Sequence, residues 1–504
     1  MSSRKDLFLR NTALNFVGLA LPLFLAFLVM PVISRNLGAA RFGLLGLAWA
    51  LLEYFSLMDV GLGRATTKFV AERAAERPPE LVEIITISTL SQTFTGVLGG
   101  VLLAALTPFL VGHVFTVPPA LVPEARRVLF LLSATLPLVL LSLSLRGVVE
   151  AAQRFDLSNM IRLVSSCTTF LIPAVGAAQG VSLPAIILLL LVARVLTCVA
   201  LVITVPFALP GLVWRWPHEW RFLRQLLAYG GWVAVSNVLS PVLIYLDRFM
   251  LAALVGIAAV GYYTAPYEAT TRLLIIPASL VTTLFPVVSA LGVKNEYSTL
   301  CRMFTASLRN LVLVLAVPVA AVLVFAPDLL TLWLGPEFSA QSAAAMRILA
   351  IGLLVNGLAH VPFGYIQALG RPDLPAKFHV LELILYPPIA WLLVRQFGIA
   401  GAAAAWSVRV FGDAILLFAS AGRLLALSPR HMLGQRSGRL VIAIASLALV
   451  LIASHVLPLA AAAAIATATL AAFATAAWRY VLDVEEREIL GRLMSRVVAL
   501  RALR

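Results

Sequence analysis

Three pairs of opposite charge lie inside apolar stretches at a spacing of four residues: Arg146 with Glu150, Glu268 with Arg272, and Arg409 with Asp413. On an α-helix such partners are neighbours on one face. Ionisable side chains are costly within a bilayer, and where they persist they mark paths for substrates or ions. Two readings stand side by side for each pair. The charges neutralise each other and ease burial in a packed bundle, or the arginines face a cavity and grip an anion. The forked guanidinium matches a diphosphate. A drug or an amino acid would need fewer such cations than a diphosphate head group drawn through a membrane.

Further ionisable groups sit at depth. Glu53 and Arg194 fall near the middle of apolar runs, Asp59 and Arg64 toward the end of the second run, and Asp247 and Arg248 toward the end of the seventh. Glu53, Ser56, Val60 and Gly63 share a helical face, with Asp59 beside it. Asn237, Ser240 and Asp247 form a second stripe, and Gly261, Thr264, Glu268 and Thr271 a third. Such stripes line a cavity or glue helices together, since small and polar residues do both. His360 stands alone at depth and reads as a hydrogen-bonded packing residue rather than a proton relay.

Several chemistries are missing. No Gly-Lys-Ser/Thr sequence occurs, so a phosphate-cradling ATPase loop is absent. His218-Glu219 begins a zinc-protease pattern, but Phe222 stands where the second histidine belongs. Cys167, Cys198 and Cys301 are too few and too scattered for a disulfide framework or a metal site. The external loops, the longest near 113–127 and 334–343, are short for sugar-transfer chemistry. The sequence therefore points away from an enzyme and toward movement of a substrate without covalent change.

The elements that must carry these residues follow from composition. Of 504 residues 61% are hydrophobic and 12% charged, with mean hydropathy +0.99. Soluble domains are nearer 45–50% apolar and about 25% charged, which excludes a soluble enzyme. A spanning helix uses roughly 20 apolar residues, so the supply suffices for about fourteen. The apolar runs predict all-α spans at 12–33, 42–62, 84–112, 128–150, 158–178, 183–209, 226–250, 257–290, 306–334, 343–368, 378–397, 400–422, 439–457 and 459–480. The long 257–290 run should bend at Pro277 or Pro286. The first run follows Arg4, Lys5 and Arg10 and is expected to be an uncleaved span.

The net charge of +15 is scattered between the runs rather than gathered in one patch, so nucleic acid is not the expected partner. With the N-terminus inside, 28 of the 38 Lys and Arg residues fall on the inner side, seven outside and three within spans. That bias predicts both termini in the cytoplasm and an even span count, fourteen with twelve as the alternative. Arg248 is counted with the outer ends.

The chain also repeats. Glu150-Ala-Ala-Gln-Arg154-Phe-Asp156-Leu157 aligns with Gln367-Ala-Leu-Gly-Arg371-Pro-Asp373-Leu374 at an offset of 217. Gly38 and Gly43 align with Gly256 and Gly261, and Gly180 with Gly398, at 218. Six spans separate equivalent positions, which implies two same-way-up six-helix bundles around a central cavity. The expected divisions are a first bundle over 1–210, a cytoplasmic linker over 211–225 and a second bundle over 226–425. Two extra helices and a cytoplasmic tail would occupy 426–504.

Asn15 through Pro31, Arg35-Asn-Leu-Gly38-Ala-Ala-Arg-Phe-Gly43 and Met58-Asp59-Val-Gly61-Leu-Gly63-Arg64-Ala65-Thr66 resemble the opening of Wzx-type polysaccharide flippases. These belong to the multidrug/oligosaccharidyl-lipid/polysaccharide exporter superfamily. Leu246-Asp247-Arg248, Gly256, Val260-Gly261-Tyr262-Tyr263 and Ala265 resemble the start of that family's second half. The resemblance spans most of residues 10–425. It implies export of an undecaprenyl-diphosphate-linked oligosaccharide across a bacterial inner membrane, coupled to a proton or sodium gradient, with no other cofactor. It implies membrane lipids, a polysaccharide polymerase and a chain-length regulator as partners. Thr12–Ile33 carries no charge, unlike the lipid II flippases, which favours surface polysaccharide over peptidoglycan precursor. On this reading Arg64, Arg146, Arg272 and Arg409 attract the diphosphate and acidic sugars, and Glu53, Asp59, Asp247 and Glu268 are the ion-coupling candidates. The competing readings are a multidrug cation antiporter, a membrane polymerase or ligase, and a non-transporting scaffold.

Overall fold

The computed structural model describes residues 2–57, 78–152, 154–209 and 243–428, with scattered positions between 450 and 479. Among these residues every regular element is helical. The helices are α1 (Ser2–Leu57), α2 (Pro78–Phe109), α3 (Val122–Ala151), α4 (Phe155–Ala178) and α5 (Leu183–Ala208). They continue as α6 (243–254), α7 (Ile257–Thr271), α8 (Ile275–Val293), α9 (Tyr297–Leu334), α10 (Pro336–Ala368) and α11 (Asp373–Leu425). Nine helical stretches among the described residues are long and apolar enough to cross a membrane. The expected spans at 439–457 and 459–480, and most of 226–250, lie outside the described residues.

Two helices are too long for single spans. At about 1.5 Å per residue α11 would extend roughly 80 Å, against a hydrocarbon core of about 30 Å. Gly398 interrupts it with φ 55° and ψ −125°, and Gly38 interrupts α1 with φ 72° and ψ 164°. Both conformations lie where side-chain-bearing residues are strained, so glycine is required. The breaks fall between the expected spans 12–33 and 42–62, and between 378–397 and 400–422. The expected bend in 257–290 appears as a 3-10 turn, Arg272–Leu274, between α7 and α8. Pro277 accounts for it: the ring lacks an N–H and crowds the carbonyl four residues back, that of Leu273. Pro286 leaves α8 unbroken.

The described residues form two compact units. One holds those up to Ala269 with Trp333–Ala345 and His379–Ala405, and the other Thr270–Leu332, Met346–Phe378 and those from Trp406 onward. In the first, α2, α3 and α5 share a core of Leu81, Ile84, Ile85, Leu145, Val148, Leu201 and Val205. Gly96 and Gly100 let α2 approach α3 closely, since a methyl on Gly96 would stand 2.6 Å from Pro137 Cα and one on Gly100 2.5 Å from the Ser133 carbonyl. Small residues four apart are the usual means of such contact where hydrophobic burial gives no drive between helices. In the second unit Val288, Leu300, Phe304, Leu308, Tyr365, Ile366, Leu417 and Ala421 knit α8 to α11.

Candidate functional site

α6 and α7 meet at a sharp corner. Gly256 takes φ 132°, and the loop after α2 fastens the corner: the Thr116 amide donates to the Ala252 carbonyl at 2.8 Å, and the Ile257 amide to the Thr116 carbonyl at 3.2 Å. This brings Tyr245, Asp247 and Arg248 of α6 against Tyr263, Tyr267 and Glu268 of α7. Tyr245 and Arg248 are three residues apart and Tyr263 and Tyr267 four apart, so each pair projects from one helical face.

Arg248 is the centre of this cluster. Its Nη2 donates to Glu268 Oε1 at 2.9 Å, and its guanidinium lies 4.6 Å from the Tyr267 ring centre and 5.1 Å from that of Tyr245. The Arg248 side chain is 3% exposed and that of Glu268 21%, so the pair is nearly dry on the cationic side. Two aromatic faces supply the cation with favourable quadrupole contact. Asp247 is fully buried; it accepts the Arg248 amide at 2.7 Å and the Tyr263 hydroxyl. Tyr245 in turn donates its hydroxyl to Glu53 of α1. Charge, aromatic face and phenol thus link α1, α6 and α7.

Next to this network α1 crosses α7 at backbone contact. A methyl on Gly43 would overlap the Ile257 carbonyl, one on Gly261 would stand 2.5 Å from the Ala39 carbonyl, and one on Gly46 2.9 Å from the Thr264 hydroxyl. Tyr262 donates to Glu337 and packs edge-on against Phe338, which also meets Phe42.

The sequence candidates are placed as follows. Glu53, Asp247 and Glu268 are joined through Tyr245 and Arg248. Arg146 is half-buried on α3, and its neighbour Glu150 accepts the Ser158 hydroxyl at 2.8 Å. Arg272 is exposed and opens the 3-10 turn, and Arg409 and Asp413 are half-buried on α11. Asp59 and Arg64 lie outside the described residues. His360 meets the Asn356 carbonyl one turn back at 2.8 Å, a packing contact. Arg248 was read only as a charge toward the end of the seventh run and Tyr263 only as part of a family motif, while Tyr245 and Tyr267 escaped the sequence reading. The Leu246-Asp247-Arg248 motif and the four-residue spacing of Tyr263 and Tyr267 were the available signals. In the connections outside the spans, Arg154 grips Asp156 and Arg371 grips Asp373 through two parallel contacts each. The side-chain hydrogen bond first, and the opposite charge second, raise both guanidinium pKa values. Among the described residues no three His, Cys, Asp or Glu side chains are placed to share a metal ion.

Residues 8–291 match the family described as "Polysaccharide biosynthesis protein". A Shigella flexneri protein named "Putative O-antigen transporter" is 29% identical over 410 residues, covering 81% of this chain and 96% of that protein. A Haloferax volcanii protein named "Probable low-salt glycan biosynthesis flippase Agl15" is 25% identical over 398 residues, 78% of this chain and 79% of its own. Among solved structures, the lipid II flippase MurJ in an inward closed conformation superposes with TM-score 0.74 at 11% identity, covering 94% of this chain and 99% of that one. An inward-facing multidrug resistance MATE family transporter of the MOP superfamily gives 0.69 at 14%, covering 82% and 98%. At such identities the structural likeness concerns the fold alone.

Proposed function

The chain belongs to the polysaccharide biosynthesis protein family, and from that membership we propose that it is a flippase for an undecaprenyl-diphosphate-linked oligosaccharide. It would carry this lipid from the cytoplasmic to the external leaflet of a bacterial inner membrane, for O-antigen, capsule or exopolysaccharide. The observation that carries the reading is the nearly full-length relation to the Shigella flexneri protein. Multiple apolar helices make the chain a multi-pass membrane protein, and the positive-inside bias supports a reading with both termini in the cytoplasm.

Alternating access between two like-oriented bundles, 1–210 and 226–425, is the proposed mechanism, with the two helices of 426–504 outside it. Equivalent positions of the repeat share conformations, which supports this. Gly38 and Gly256 both take positive φ (72° and 132°), as do Gly180 and Gly398 (71° and 55°). Arg154–Asp156 and Arg371–Asp373 have the same two-pronged geometry. Gly43 and Gly261, also equivalent, face each other. In this mechanism Arg64, Arg146, Arg272 and Arg409 draw in the diphosphate. Glu53, Asp59, Asp247 and Glu268 exchange a proton or sodium ion, and the cargo reacts with nothing.

The test is complementation of a host lacking its own flippase. Restored surface polysaccharide, scored with the matching glycan pathway present, supports the reading. Resistance to cationic drugs without polysaccharide would instead make the chain a multidrug antiporter.

A further inference from the structure

α5 shows lipid one face and the bundle another. Leu188, Val192, Val195, Val199 and Val202 are exposed, while Ile187, Leu190, Cys198, Leu201 and Val205 are buried. Arg194 lies on the inner stripe, four residues from both Leu190 and Cys198. Its Nη1 donates to the Ser165 hydroxyl of α4 at 3.3 Å and its Nη2 to the Thr169 hydroxyl at 3.5 Å. Both contacts are long for hydrogen bonds. Among the described residues no carboxylate stands within ion-pair distance of Arg194. Arg146 of α3 is close enough to act on it as a like charge.

Two other arginines at depth differ. Arg248 has Glu268 and two aromatic faces. Arg347 is tied to two carbonyls, of Leu323 at 2.9 Å and of Val324 at 3.4 Å. A guanidinium carries five donors, and Arg194 spends two of them on long contacts to hydroxyls. A group with this surrounding is stabilised when an anion arrives.

α4 continues the polar lining. Ser158, Arg162, Ser165 and Thr169 recur at helical spacing along one face, and Ser142, Arg146 and Glu150 do so on α3. Cys198 and Ser142 close the seam on the α5 side at 3.0 Å. The lining is rich in donors, with Arg146, Arg162 and Arg194 beside several hydroxyls.

We infer that Arg194, with the Ser165 and Thr169 hydroxyls and the neighbouring Arg146, forms a phosphate- or diphosphate-binding site in the seam of α3, α4 and α5. The identity of the cargo rests on the flippase reading; the site itself does not. The group bound could be the diphosphate of the carried lipid or the phosphate of a bilayer lipid, and the test separates them.

Purified protein in nanodiscs is titrated with undecaprenyl diphosphate, phosphatidylglycerol and inorganic pyrophosphate, and bound species are counted by native mass spectrometry. Arg194→Gln should weaken undecaprenyl diphosphate and pyrophosphate by about tenfold or more, and Arg194→Lys should weaken them less, because a hydrogen bond to a charged group is lost in the first and a charge is kept in the second. Without anion, Arg194→Gln should melt at the same temperature as the parent or higher, an outcome that a purely structural arginine would not give. Selective loss of phosphatidylglycerol alone would assign the site to a bilayer lipid. Unchanged affinity for all three probes, or a lowered melting temperature with binding intact, overturns the proposal. Should the chain fail to restore polysaccharide yet bind pyrophosphate through Arg194, the flippase reading falls and the site stands. Normal flipping with unchanged affinity in Arg194→Gln gives the reverse.

Discussion

Gly43 and Gly261 lie backbone to backbone, each one's missing methyl replaced by a carbonyl from the turn that precedes the other: Ile257 for Gly43 and Ala39 for Gly261. Ile257 and Gly261 each stand 218 residues after Ala39 and Gly43, and the contact is reciprocal. Neither carbonyl can yield as a flexible side chain would.

Gly43→Ala and Gly261→Ala should each destabilise the protein by about 1–3 kcal/mol, the range for overpacking. Gly412→Ala is the control, because a methyl there meets nothing within 4 Å. It should be neutral or slightly stabilising, since alanine favours helix more than glycine does. Thermal unfolding in detergent reads all three. Equal effects at the three positions would refute the close crossing.

Arg248 and Glu268 should behave as a buried pair. Removing one partner leaves a charge without compensation and costs about 3–5 kcal/mol, whereas replacing both with apolar residues costs less. Arg248→Met and Glu268→Leu are therefore each expected to lower the melting temperature sharply, and the double variant to recover much of the loss. An additive double variant would show that the pair is not coupled.

What was legible in the sequence follows from the range of each rule. Spans were read because twenty apolar residues have one home, and the breaks at Gly38 and Gly398 fell where runs paused. The turn at Arg272–Leu274 was readable through Pro277, whose effect reaches only four residues back. The contact of Glu268 with Arg248 was not: Arg248 stands twenty residues earlier on another helix, beyond the reach of a four-residue spacing. Counting charges for topology also absorbed Arg248 into an outer end, because a count by side carries no burial. Arg194 was visible as a charge at depth, but its like-charged neighbour and its hydroxyl partners come from α3 and α4, beyond any local pattern.

Arg154 and Arg371 belong to exposed pairs, and Asp373 also accepts Lys377 at 3.0 Å. Surface pairs are screened by water and contribute little to stability. Asp156→Ala and Asp373→Ala should therefore leave the melting temperature nearly unchanged. A loss of several degrees in either would mean that these connections hold the bundles together.

Arg146, Arg272 and Arg409, with Arg64, are the substitutions that test the cargo path. Their contribution should be to binding rather than to folding, because Arg272 is exposed and the other two described ones are half-buried. Each alanine variant should reach the membrane at normal level. Surface polysaccharide should fall severely in every variant whose arginine contacts the diphosphate, as a lost charged hydrogen bond weakens binding about tenfold or more. The lysine variants should retain part of the activity, since a cation remains without the two-pronged geometry. Normal polymer from all four alanine variants, with protein levels matched by immunoblot, would remove these arginines from the path. Anion recognition would then fall to Arg194 with the Ser165 and Thr169 hydroxyls, without Arg146.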